Sequence, residues 1–206
     1  ALSWGGLTRI GEALGAFRWQ LVLPRDIEYT AAYALLQIDE PKTRYRAARH
    51  QVAKIDQPQL MSVLDVAFGR LGQKQPLWPF SGQTMRLRFQ KLLSANGLDK
   101  LPKSISRGLD LGSLRAGGAS WLMAVTDNPD LTRRRGRWIT NKVMEIYVQE
   151  SLALVYLKRI SEQSKQVNFA LAKAFTSILD RARQLHVARV PPSLWFTLIQ
   201  QEDLWR

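Results

Sequence analysis

Apolar residues recur at mostly three- and four-residue steps through Leu2, Leu7, Ile10, Leu14 and Phe17, which predicts a helix over 2–17 weakened by Gly5, Gly6, Gly11 and Gly15. Arg9 and Glu12 share one face of it. Short β-prone runs follow at 20–23, 31–38 and 49–55, with turn chemistry around Pro24 and Pro41, and predict a small antiparallel sheet. The hairpin joining the second and third runs carries a basic tip, Asp39-Glu40-Pro41-Lys42-Thr43-Arg44-Tyr45-Arg46, placed to reach toward a ligand. From Pro58 the period turns helical, with helices expected at 58–71, 81–95, 112–125 and 128–135, separated by Gly or Pro. Between Gly136 and Pro191 there is no Gly or Pro, so this stretch reads as one long helix or two. Two is favoured, because Leu152, Val155, Tyr156 and Leu157 begin one apolar stripe and Phe169, Ala172, Phe175, Ile178 and Leu179 form another. The expected fold class is mixed α+β, mainly α, with a small antiparallel sheet near the N-terminus.

A chain of 206 residues is long enough to bury a sizeable core, and length favours one main domain, with or without an appendage. Hydrophobic residues make up 46% and charged ones 23%, which sets disorder and fibrous repeats aside. Lys and Arg number 30 against 17 acidic residues, a net charge of +13 that calls for a polyanion or for solvation. Nucleic acid is the first candidate and a membrane surface the second. The absence of cysteine excludes disulfides, thiolate zinc sites and a cysteine nucleophile. No run of about 20 apolar residues is present to span a bilayer. The opening Ala1-Leu2-Ser3-Trp4-Gly5-Gly6 has neither an initiator Met nor a signal pattern, so a piece of a longer chain is expected.

Chemistry concentrates in a few local patterns. Residues 112–123 read Gly-Ser-Leu-Arg-Ala-Gly-Gly-Ala-Ser-Trp-Leu-Met, then comes Arg133-Arg134-Arg135-Gly136-Arg137-Trp138, then Met144-Glu145-Ile146-Tyr147. In this order they resemble the tyrosine recombinases, especially the Cre-type branch. Arg115 matches the Arg of that family's His-x-x-Arg motif, Trp138 its Trp, and Tyr147, nine residues on, its nucleophile. Leu7-Thr8-Arg9-Ile10-Gly11-Glu12 matches the first motif, in which an Arg precedes a Glu by three, so Arg9 is the first catalytic Arg and Glu12 its support. The family's catalytic Lys stands at a β-hairpin tip, where Lys42 lies. The match covers residues 2–150, implying a catalytic domain over 1–150 and a helical extension over 151–206 that provides a possible oligomer contact. It departs from the family at one motif position, where Gly112 replaces the His.

The resemblance implies DNA cleavage and rejoining through a 3′-phosphotyrosine. Arg9 and Arg115 would clamp the scissile phosphate, Trp138 would add an indole N–H, and Lys42 would protonate the departing 5′ oxygen. Arg44, Arg46 and the run Arg133, Arg134, Arg135 and Arg137 would neutralise flanking backbone phosphates. It implies no cofactor, metal or small-molecule substrate. The partners are double-stranded DNA and further copies in a synaptic tetramer, so the location follows the DNA, nucleus or nucleoid. The family's N-terminal clamp domain has no room before Arg9. Two other readings stay open: a DNA-binding relative that does not cut, motivated by Gly112, and a helical interaction protein built on the tail. Taken singly, Tyr147 reads as a half-buried helix aromatic and Trp138 as core.

Overall fold

The computed structural model describes residues 1–27, 32–41, 51–99, 108–148 and 156–202. These form a mainly helical structure with one small antiparallel sheet. Strands β1 (Leu21–Val22), β2 (Ala34–Ile38) and β3 (Gln51–Ile55) lie in sequence order, with Leu21 opposite Leu36 and Leu36 opposite Ala53. Period-two alternation decides the packing: Ala34, Leu36 and Ile38 face inward with Ala53 and Ile55, whereas Val52 stays half exposed. Against this face pack Leu2, Ala16, Leu64 and Leu77, with Leu60 and Phe68 at the margin. Burying a leucine the size of Leu64 contributes about 1.5–3 kcal/mol.

The helix expected over 2–17 is two short helices, α1 (Leu2–Gly5) and α2 (Ile10–Leu14). The break falls at Gly6 and at Leu7, whose φ of 49° is left-handed and incompatible with a continuing helix. Helices α3 (Pro58–Phe68), α4 (Gly82–Ala95), α5 (Ser113–Thr126) and α6 (Pro129–Gly136) stand where the periodicity places them. Asn128 caps α6 through the Leu131 amide and Ser81 caps α4 through the Thr84 amide. The stretch without Gly or Pro yields α7 (Asn141–Glu145), helical residues 156–159 and the 26-residue α8 (Glu162–Val187). A last helix, α9 (Pro192–Gln201), folds back on α8, with Trp195 edge-on to His186 and Arg181 paired to Glu202. It packs on α8 and buries Ile199.

A second, smaller core gathers Leu7, Ala119, Trp138 and Met144, with Tyr147 and Val148 against it. It forms where α1 crosses α5. A Cβ on Gly118 would stand 2.0 Å from the Trp4 carbonyl oxygen, so only glycine permits this approach. Trp4 then stacks at a tilt on Trp121, with ring centroids 4.8 Å apart. This crossing carries the first twelve residues onto the N-terminal half of α5. Among the described residues, no helix is long and apolar enough to cross a membrane.

Candidate functional site

Six of the residues singled out by the sequence converge at that second core: Arg9, Glu12, Arg115, Arg137, Trp138 and Tyr147. Arg115 sits in the first turn of α5 and is only 3% exposed. A cation at a helix N-terminus is opposed by the helix dipole, and burial adds to the cost. Its Nη2 donates to the Gly136 carbonyl at 2.6 Å, and its guanidinium carbon lies 4.9 Å from the Trp138 ring centre and 5.2 Å from that of Tyr147. The two rings are themselves in contact, their centroids 5.0 Å apart. Nε and Nη1 of Arg115 have no hydrogen-bond acceptor among the described residues, and the same holds for the indole Nε1 of Trp138.

Glu12 organises the other side. Its Oε1 accepts from Arg9 Nη1 at 2.8 Å, while Oε2 accepts from the Arg9 amide at 2.8 Å and from Arg137 Nη2 at 2.6 Å. The amide contact is a cap: Arg9 occupies the position before α2 and Glu12 the third residue within it. Two arginines thus meet a single carboxylate, with Arg115 close enough to feel their charge. Burial first, and then the like charges of Arg9 and Arg137, pull the Arg115 guanidinium well below its ordinary value, to about 10, with Glu12 and Tyr147 acting in the opposite sense. Burial also lowers Arg137, opposed by Glu12 and reinforced by Arg9. With three guanidiniums to one carboxylate, the cluster holds a surplus of formal positive charge, and several buried donors meet no acceptor among the described residues.

The backbone after α6 explains how Trp138 and Arg137 come to face this cluster. Arg137 has a φ of 58°, its amide donates to the Arg134 carbonyl, and the Trp138 amide donates to that of Arg133. This is a Schellman termination, whose left-handed position is ordinarily glycine. Here the glycine stands one residue earlier. A Cβ on Gly136 would lie 1.7 Å from the Trp138 ring, so the bare backbone at 136 lets the indole fold over it while its carbonyl holds Arg115. Gly136 was not among the candidate residues; its only sequence signal is a Gly–Arg order at a helix end where Arg–Gly is the ordinary one.

The remaining predicted residues are placed differently from one another. Arg137 was expected on a flanking phosphate surface but turns inward to Glu12, its side chain 7% exposed. Arg135, expected on the same surface, pairs with Asp56 and donates to the Lys54 carbonyl at 3.0 Å, tying α6 to the end of β3. Arg133 and Arg134 lie on the outer side near Asp130. Gly112 occupies the position before α5, in ordinary helical φ and ψ, one turn from Arg115. Lys42, Arg44 and Arg46 lie outside the described residues; β2 and β3, on either side of that stretch, pair as expected. Among the described residues, no group of three or more His, Cys, Asp or Glu is arranged to hold a metal ion.

No protein-family model, curated protein or solved structure matches the chain.

Proposed function

We propose that this chain cleaves and rejoins DNA strands in the manner of the tyrosine recombinases, with Tyr147 as nucleophile. One observation carries the reading: two guanidiniums share one carboxylate, a third is buried against a tyrosine ring beside them, and buried donors of Arg115, Arg137 and Trp138 have no acceptor among the described residues. A phosphodiester fits this demand. It brings a negative charge and nonbridging oxygens that accept several N–H bonds, and planar guanidiniums match such oxygens in pairs. Charge builds on those oxygens during in-line attack, so the same donors strengthen as the transition state forms.

In the step proposed, the Tyr147 oxygen bonds to phosphorus, the phenolic proton leaves to solvent, and the bond from phosphorus to the 5′ oxygen breaks. Lys42, assigned by resemblance, gives that oxygen its proton. The phosphotyrosine keeps the energy of the broken diester, so a second 5′-hydroxyl reverses the step without nucleotide or metal. Double-stranded DNA is the partner, the +13 net charge provides the long-range attraction, and assembly of several copies on DNA belongs to the same reading.

The second reading, a DNA-binding relative that does not cut, is favoured by Gly112. Both are tested by incubating the protein with a randomised pool of nicked duplexes, in which a cut traps the protein on DNA. Detergent-resistant protein–DNA adduct, absent with Tyr147→Phe, is the expected result. DNA binding without adduct selects the second reading.

A further inference from the structure

We infer that Arg137 is a third guanidinium ligand of the phosphate at this site, supplying donors to the nonbridging oxygens beside Arg9 and Arg115. The inference rests on the phosphate-directed reading above and concerns one residue within it.

The backbone speaks first. At the left-handed position of a Schellman termination, any residue with a Cβ is disfavoured relative to glycine. Arg137 occupies it at a φ of 58°. Sequence could relieve the cost by placing glycine there, yet the glycine stands at 136, where the Trp138 ring needs it. The conformation turns the long side chain into the protein instead of toward solvent, leaving it 7% exposed.

The side chain then ends among charges of its own sign. It shares Glu12 with Arg9, its Nη1 reaches the Gly6 carbonyl at 3.4 Å, and its Nε is buried with no acceptor among the described residues. The bond from Arg137 ties the end of α6 to α2, but one carboxylate neutralises only one cation, and Glu12 already holds Arg9 within the same helix start. A second guanidinium on the same carboxylate, close enough to Arg115 to disfavour its charge, is explained by an anion that both address. Within the same cluster, the position one turn before Arg115 carries no side chain. Arg137 therefore adds donors to a site in which residue 112 has no side chain to supply them.

The test uses inorganic phosphate as probe, titrated at constant ionic strength and read by thermal stabilisation and calorimetry, on the full chain. Arg137→Gly removes the guanidinium and fits the left-handed backbone; Arg137→Lys keeps a charge beside Glu12 but removes the paired donors. The expected result is at least a tenfold weaker phosphate affinity in Arg137→Gly, a smaller loss in Arg137→Lys, and partial recovery of the glycine variant with millimolar guanidinium ion. On a duplex selected from the nicked pool, the adduct rate of Arg137→Gly should fall roughly 10²–10³-fold, as when an oxyanion donor is removed. Gly112→His added to Arg137→Gly should restore part of it. Phosphate affinity unchanged in both single variants overturns the inference, whatever their stability. Failure of the wild-type chain to form a Tyr147 adduct instead counts against the recombinase reading, and the phosphate titration still decides the role of Arg137.

Discussion

Replacing Arg115 by methionine would separate a phosphate ligand from a structural brace, because the two roles predict opposite patterns of stability and binding. Holding this guanidinium at about 10, well below its ordinary value, corresponds to roughly 3 kcal/mol of disfavoured charge, at about 1.4 kcal/mol per unit. Methionine relieves that cost. It also forfeits the 2.6 Å bond to the Gly136 carbonyl, about 1.5–3 kcal/mol for a charged donor, and two ring contacts of roughly 0.5–1 kcal/mol each. The opposing effects cancel to within about 2 kcal/mol, a shift of no more than about 8 °C for a chain of this size. Phosphate should behave differently. At a hundred times its dissociation constant a ligand stabilises the folded state by about 2.7 kcal/mol, and this increment should vanish in Arg115→Met. Scanning calorimetry of both proteins, with and without phosphate at matched ionic strength, measures all four quantities. A melting temperature lowered by more than about 10 °C, with the phosphate increment intact, would refute the reasoning and make Arg115 a brace.

Two further outcomes follow from the same structure. Gly136→Ala puts a Cβ into the Trp138 ring, so the indole must leave its place; a loss of about 1–3 kcal/mol in urea unfolding is expected, together with loss of phosphate stabilisation, and a variant as stable as wild type would contradict the packing account. At Asp26, burial raises the carboxyl, but the Arg18 hydrogen bond, the Leu23 amide and the Arg18 and Arg25 charges outweigh it and leave the pKa below the ordinary 3.8. Because the folded value is the depressed one, this stabilisation is present above pH 4 or so and is lost as pH falls through the folded value; Asp26→Asn should therefore flatten the acid limb of the urea midpoint, and an unchanged limb would remove Asp26 from it.

The sheet was legible because alternation is a local signal: Ala34, Leu36 and Ile38 carry their inward face in the sequence itself. The long α8 was legible for a similar reason, its stripe running without Gly or Pro. The break between α1 and α2 was half legible, since the glycines were visible as weak points but the left-handed turn at Leu7 was not. In the site, Arg9, Glu12, Arg115, Trp138 and Tyr147 were found from motif order, and the structure brings all five together. The inward turn of Arg137 could not be read, because its partner Glu12 is 125 residues away and a basic run looks the same whether it faces solvent or a carboxylate. Arg135 illustrates the same limit, its charge spent on Asp56. The role of Gly136 needed the position of the Trp138 ring.

The central claim concerns which atom carries the DNA. After reaction with the nicked duplex pool, the trapped protein is digested with protease and nuclease, and the residue bearing a nucleotide is located by mass spectrometry. The account predicts a nucleotide 3′-phosphate on Tyr147, in the peptide that follows Lys142. Attachment at Tyr156 or any other residue, or DNA bound with no covalent product at all, would contradict it.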